Sequence, residues 1–306
     1  MTTEKQDSVY LARQLENFIP EKVWLEYPGL KCRDLAPINP KIKGDHFTTF
    51  KYKVYGQTAL AKIIGAKATD IAKLNVYAEE FEGKVFPMAI GNEWTYQEMA
   101  IASHNGDDIF GDTVKLARES HLFTENTVFF YGDSDYGLYG LTTHPNITQS
   151  AVAVGSSSGN TVWDGGSPKT AAEIMFDVQD MINEVQVATK GMHKANTVLF
   201  PLSAMSQLNQ PYSSLSAKTV FTALKENNPD VKVWEFCNEL ETAGTGASRV
   251  MFAYKMDPSV FSIVVPYETK ANPLVTKING QEIAFVMGIG GIWCDKPLAI
   301  QGAYGF

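Results

Sequence analysis

Hydrophobic positions recur along this chain with two periods, and the changes between them mark its elements. From Ser8 to Phe18, Val9, Leu11, Ala12, Leu15 and Phe18 stand at helical spacing. Residues 19 to 44 then carry Pro20, Pro28, Pro37 and Pro40 among the apolar anchors Val23, Trp24, Leu25, Tyr27, Leu30 and Leu35. Prolines at this density interrupt regular structure, so a short helix leading into a long extended arm is predicted. Those anchors need another surface to lie on. From Phe47 to Tyr55 the period becomes two, with Phe50, Tyr52 and Val54 alternating against Thr49, Lys51 and Lys53, and a second strand-like run covers Leu74 to Ile90. A long two-stranded hairpin is predicted, carrying Lys62, Lys67, Lys73 and Lys84 beside Asp70, Glu79, Glu80 and Glu82. A hairpin of that length is marginal without a third surface, so it is expected to project.

Helical spacing returns downstream. Thr95 and Glu98 form a capping-box pattern before a helix stopped at Asn105-Gly106. Asp107 and Asp108 precede a second helix, about 107–124, whose Ile109, Phe110, Val114, Leu116, Ala117 and Phe123 predict a wide core-facing stripe. A third helix lies between Ser167-Pro168 and Lys190-Gly191, with Ala171, Ile174, Met175, Val178, Met181 and Val185 on one side. Further on, strands are predicted at "NTVLFP", near 231–237, 249–256 and 260–266, and at "QEIAFVMGI" and "GIWCDKPLAI", with helices near 203–209 and at "KTVFTALKENN". Helices and strands intersperse without βαβ regularity, which predicts an α+β fold.

Composition narrows the class. The chain of 306 residues is 44% hydrophobic with a net charge of −8 and no block of like charge, so no basic patch suggests nucleic-acid or lipid binding. No apolar run approaches membrane-spanning length and "MTTEKQDSVY" lacks a secretory pattern, so the chain is expected to be made and kept in a cytoplasm. Cys32, Cys237 and Cys294 lie far apart and are expected to be buried reduced thiols.

Candidate chemistry is thin. "GSSSG" around Ser157 matches the nucleophile-elbow pattern, but Gly- and Pro-rich sequence stands where the required helix should follow, so a flexible loop is expected. "GDSDYG" has two carboxylates spaced like the start of a calcium loop without the rest, and reads as a turn. "GIGG" at 288–291 opens no helix, and His46, His104, His121, His144 and His193 form no ligand spacing. No catalytic residue, metal site or cofactor is predicted.

The segment "ARESHLFTENTVFFYGDSDYGLYGL" (117–141) resembles the end of the spine helix and the following turn in major capsid proteins of tailed bacteriophages. The resembling features are the acidic-Asn pair Glu125-Asn126, the aromatic-Gly-Asp turn at 130–133, and the Gly-Leu-x-Gly-Leu step at 137–141. "PKTAAEIMFDVQDMINEVQVATKG" with "NTVLFPLSAMSQL", then "KTVFTALKENNPDVKVWEFCNEL" and "GGIWCDKPLAI", are similar to the family's later elements in the same order. The resemblance implies an N-terminal arm (1–45), an E-loop hairpin (46–92), a P-domain (93–149) with the spine helix, an A-domain (150–257), and strands (258–306) returning to the P-domain sheet. In that arrangement Ile292, Trp293 and Leu298 would pack the P-domain.

The implied function is a self-assembling shell of hexamers and pentamers in the virion, enclosing DNA without reading its sequence. An acidic inner wall would keep that DNA from adhering. Lys62, Lys67, Lys73, Lys84, Trp24 and Tyr27 are the candidate assembly contacts. No long charged helical prefix precedes the arm, so scaffolding is expected to come from a separate protein or none, with a portal and a decoration protein as further partners. The alternatives are an encapsulin shell around a cargo enzyme and, remotely, a serine hydrolase using Ser157.

Overall fold

Two sheets with different neighbours organise the computed structural model, which describes residues 29–46, 48–57, 76–213 and 216–306. The first elements are a single helical turn α1 (Cys32–Leu35), strands β1 (Thr49–Gln57), β2 (Val76–Lys84) and β3 (Phe86–Thr95), and helices α2 (Tyr96–Asn105) and α3 (Ile109–Tyr131). A short hairpin of β4 (Gly132–Asp133) and β5 (Leu138–Tyr139) leads to β6 (Thr148–Ala151) and α4 (Ala171–Ala188). Next come β7 (Thr197–Pro201), α5 (Ala204–Leu208), β8 (Pro211–Ser213), β9 (Ser216–Thr219), α6 (Val220–Asn227), β10 (Val233–Cys237) and β11 (Val250–Tyr254). The last are β12 (Phe261–Ile263), β13 (Lys270–Ala271), β14 (Val275–Lys277), β15 (Gly280–Ile289), β16 (Ile292–Cys294) and β17 (Ile300–Tyr304).

The larger sheet has the order β10-β7-β11-β17-β6. Both its faces are covered, which explains why "TVLFP" and "VMFAY" are buried at every position instead of alternating. Val198, Phe200, Met251, Ala253 and Ala303 face Ile174, Val178, Met181 and Val185 of α4. Leu199, Phe252, Tyr254 and Ile300 face the opposite core, with Leu35, Phe129, Phe130 and Phe261. In the smaller sheet β15 pairs with β3 over its whole length, Gly280 opposite Thr95 through Ile289 opposite Phe86. β13 and β14 pair with β15 as well, and α3 packs on this sheet through Ala117 against Trp94, Ile283 and Phe285.

Local chemistry fixes the helix ends. The capping boxes Thr95-Glu98 and Thr170-Glu173 both form, and Gly106 closes α2 at φ 77°. The Gly-rich turn after α3 rests on close approach between two glycines. A Cβ on Gly132 would run into the Leu138 carbonyl and Gly140 N, and one on Gly140 into Gly132 N. The last carbonyls of α3 are taken by hydroxyls: Thr142 Oγ1 donates to Phe130 O at 2.7 Å and Thr143 Oγ1 to Tyr131 O at 2.9 Å.

Several expectations are corrected. The long helix does not end near residue 124; it absorbs "ENTVFFY" because Val128, Phe129 and Phe130 gain burial there, which overrides the poor propensity of Asn and Thr. The run 74–90 is two strands in two sheets, separated at Val85. The part of the arm described here is not waiting for a neighbour, since Cys32, Leu35 and Ala36 are buried in their own subunit's core. Residues 258–306 do not all return to the sheet beside α3. β15 does, whereas β17 lies between β11 and β6 in the larger sheet, and Leu298 is exposed.

The Gly-rich loop around Ser157 is pinned. Lys169 Nζ, buried, donates to both Asp177 oxygens at 2.6 and 2.8 Å and to Ala153 O, while Trp163 Nε1 donates to Asp177 Oδ2. Burial pushes the Asp177 carboxyl up against the pull of both donors.

Candidate assembly surfaces

Helix α3 presents the clearest departure from a self-contained subunit. Its inner side is the row Thr113, Ala117, His121, Glu125 and Val128, while Phe110, Val114, Leu116 and Phe123 of the predicted core stripe are exposed. Tyr96 and Ile101 of α2 are exposed as well. A monomer rarely leaves so many large apolar side chains on neighbouring helices in water unless they meet a partner. Periodicity alone located this stripe; only the packing assigns it to the outside.

The hairpin β1–β2 is a two-stranded sheet of its own. Its base is held by Trp293, whose ring lies 4.8 Å from Phe50, nearly parallel, and 4.1 Å from Tyr52. Gly83 is directly opposite Phe50, and a Cβ there would run into the Phe50 ring, so glycine is what lets the ring lie flat across the partner strand. Trp293 is thus a clamp for the hairpin and is only half-buried, a role its sequence context gives no signal for. Further out, Tyr55, Val76 and Tyr77 are exposed. Lys51 stands opposite Glu82, 3.7 Å apart, and Lys53 opposite Glu80. Of the candidate contacts, Lys84 lies exposed at the hairpin's base; Lys62, Lys67, Lys73, Trp24 and Tyr27 lie outside the described residues.

The Glu125-Asn126 pair ties three distant segments to α3. Glu125, fully buried, receives Arg33 Nη2 at 2.7 Å and Nε at 3.0 Å, and the same guanidinium reaches Glu268. Burial opposes the charge on Arg33, but its bonds to Glu125 and Glu268 outweigh it and hold the guanidinium above its ordinary range. Asn126 Oδ1 accepts from Cys32 N and its Nδ2 donates to Glu239 Oε1 at 2.6 Å. Tyr131 Oη adds a bond to the Glu239 carbonyl at 2.6 Å. Burial, with Glu125 nearby, pushes the Cys32 thiol up to about 12, which keeps it protonated and inert.

His121, one turn before Glu125, donates or accepts through Nδ1 with Thr269 Oγ1 at 3.0 Å, while its buried Nε2 has no bonding partner. Burial holds its pKa down. The unfolded chain, with an ordinary value of about 6.5, therefore takes up the proton first, and stability is lost as pH falls below about 6.5. Melting of the subunit from pH 7 to pH 5 should show this loss, and His121→Gln should flatten it. His144, also held down by burial, keeps its own share. An unchanged slope in the variant would exclude His121.

Ser157 is no nucleophile elbow. It lies in an exposed turn, and no helix follows until Ala171. Its N–H and that of Ser158 donate to Glu173 Oε1, whose carboxyl is held down to about 2 by the N–H groups of Thr170 and Ser157. Among the described residues no cluster of His, Cys, Asp or Glu could hold a metal, and no helix could cross a membrane.

A family model for the major capsid protein matches residues 59–303. The chain belongs to the major capsid protein family. A search of curated proteins returns no match. Among solved structures, the capsid of Myoviridae Phage XM1 superposes with a TM-score of 0.81 at 15% identity, covering 98% of this chain and 100% of that one. The capsid of the native GTA particle gives 0.66 at 11% identity, with 96% of each chain covered. A virus-like particle from Pyrococcus furiosus gives 0.52 at 14% identity, covering 88% of this chain and 89% of that one. At these identities the structural likeness speaks for the fold, and the fold is that of tailed-phage capsids. As a major capsid protein the chain is a structural component of a virion shell.

Proposed function

We propose that this capsid protein assembles with copies of itself, as hexamers and pentamers, into a closed shell that encloses phage DNA. The observation that carries this reading is the set of exposed apolar side chains Phe110, Val114, Leu116 and Phe123 on α3, beside a hairpin clamped at its base by Trp293. In this reading β1–β2 is the E-loop, α3 with the β3–β15 sheet is the P-domain, and the five-stranded sheet with α4 is the A-domain, now including β17. These exposed side chains gain burial when laid against neighbours, so many modest contacts, repeated through a closed shell, sum to a stable particle. A net charge of −8 suits a wall that holds DNA without gripping it. The subunit would be made in the host cytoplasm, with a scaffolding protein, portal and decoration protein as further partners.

Electron microscopy of the purified protein, with scaffold supplied, should give shells. Particles filled with a protein cargo instead of DNA would favour the encapsulin reading, and a compact monomer under all conditions would overturn assembly. Within this reading Lys62, Lys67, Lys73 and Lys84 pair with acidic groups of a neighbour. Reversing all four to Glu should abolish shells while leaving circular dichroism unchanged, since surface substitutions cost about 0.5 kcal/mol or less each. Unchanged shells would remove the lysines from the interface.

A further inference from the structure

Four neighbouring strands of the larger sheet end together on one side. The register sets Val233 of β10 and Tyr254 of β11 beside Thr197 of β7, and Ile300 of β17 beside Tyr254. Each of these ends carries a lysine in the turn that adjoins it: Lys232 directly before β10, Lys194 before β7, Lys255 directly after β11 and Lys296 before β17. Backbone bonds tie the turns together, Lys232 N to Asn196 O at 2.8 Å, Asn196 N to Tyr254 O at 3.0 Å and Lys255 N to Ala299 O at 3.3 Å. Lys190 joins them from the turn that closes α4, where His193 N is bonded to Thr189 Oγ1. Burial, with Lys296 and Lys255 nearby, holds the His193 ring below its ordinary range, which places both ammonium groups around that turn. The carboxylates in these turns are already engaged. Asp230 takes Lys194 at 2.9 Å, Asp257 takes Ser259 N at 2.8 Å and lies 4.0 Å from Lys255, and Asp295 takes Trp293 Nε1. Lys190, Lys232 and Lys296 are exposed with no acidic partner among the described residues, so this end is cationic on a chain whose net charge is −8. The sequence scatters these lysines over more than 100 positions, so no block of like charge marks them.

We propose that this lysine row holds the phosphate backbone of double-stranded DNA without reading its sequence. The proposal rests on the shell reading, in which DNA is the polyanion enclosed. Strands stand about 4.8 Å apart, so four strand ends spread their lysines over about 14 Å. DNA presents a charge about every 1.7 Å of its axis, so a row of that length lies beside several phosphates. The residue type fits the same partner. Lysine is a point charge on a flexible stem, suited to phosphates whose exact position varies, whereas fixed bidentate recognition of a carboxylate or a guanine edge favours arginine, and the row has none. The net negative charge of the whole chain confines the attraction to this one end, so each subunit touches DNA weakly and the wall as a whole does not grip it.

Fluorescence anisotropy of a labelled duplex of mixed sequence, titrated with the purified unassembled subunit, tests this. Binding is expected, and the logarithm of the affinity should fall with the logarithm of salt by about 0.9 per phosphate held. The triple variant Lys190→Gln, Lys232→Gln, Lys296→Gln should weaken binding at low salt by about tenfold or more and reduce that slope by about 3. A control with the same charge change elsewhere, Lys41→Gln, Lys43→Gln, Lys53→Gln, should leave the slope unchanged. All six lysines are exposed, so neither variant disturbs the core. No binding by the wild type, or an equal loss in the control, would overturn the proposal. So would a triple variant that keeps its DNA affinity and loses its shells, which would give the row to a neighbouring protein. Electron microscopy of the same samples separates the two readings. Shells without DNA binding would remove the row and leave assembly standing, whereas DNA binding by a subunit that never assembles would support the row and overturn assembly.

Discussion

Removing residues 291–306 is expected to abolish the folded subunit. The segment supplies β16, which pairs with β12, and β17, which among the described residues is the sole partner of β6 and one of two partners of β11. It also closes both main cores: Ile292, Ala299 and Ile300 belong to one, Ala303 and Phe306 to the other. Phe306 lies 4.3 Å from the buried Trp163, on the loop that Lys169 and Asp177 pin. Loss of one such aromatic costs about 3–5 kcal/mol, against a net stability of about 5–15 kcal/mol for a whole domain. Truncation before Gly29 should differ, because every core residue named above lies at or beyond Cys32. Circular dichroism and size-exclusion chromatography should give a folded subunit for the N-terminal truncation and an unfolded or insoluble one for the C-terminal truncation. A soluble, cooperatively melting C-terminal truncation would contradict the role of β17.

What was legible in the sequence follows from which signals are local. The capping box at Thr95, the stop at Gly106 and the buried stripe of α4 are written within one or two helical turns and form as predicted, whereas α4 starts after a capping box at Thr170 instead of at Ser167-Pro168. The α3 stripe is equally visible, but a periodic apolar face states only that a surface is wanted, and in the single subunit Phe110, Val114, Leu116 and Phe123 stay largely exposed, Phe110 with its ring 6.4 Å from Trp94. The last strand predicted from the sequence, 291–300, covers only β16 and the first residue of β17, and β17 lies in the larger sheet because it pairs with β11 and β6, some 50 and 150 positions away and beyond any local pattern. The resemblance puts Trp293 in the P-domain packing, but its contact with Phe50 and Tyr52 joins segments more than 200 positions apart. The Glu125-Asn126 motif shows no role in the sequence, because its role depends on Arg33, Cys32 and Glu239 being brought to one place.

That cluster supplies the second large effect. Arg33→Met is expected to destabilise the subunit more than Glu125→Gln does. The reason is an asymmetry of burial: the Arg33 side chain is 27% exposed and keeps Glu268, whereas Glu125 has no exposure. Without Arg33 a carboxylate stays enclosed beside Cys32 with no cation, and an uncompensated buried charge costs on the order of 3–5 kcal/mol. Without the Glu125 charge, Arg33 turns to Glu268 and water, and the loss is nearer the roughly 1.5–3 kcal/mol of a charged hydrogen bond. Replacing both, Arg33→Met with Glu125→Met, removes the stranded charge and should recover much of the loss from Arg33→Met. Urea unfolding of the wild type, both single variants and the double variant completes the cycle. Equal losses in the two single variants, with additivity in the double, would mean that the ion pair does not bind the arm to the spine helix.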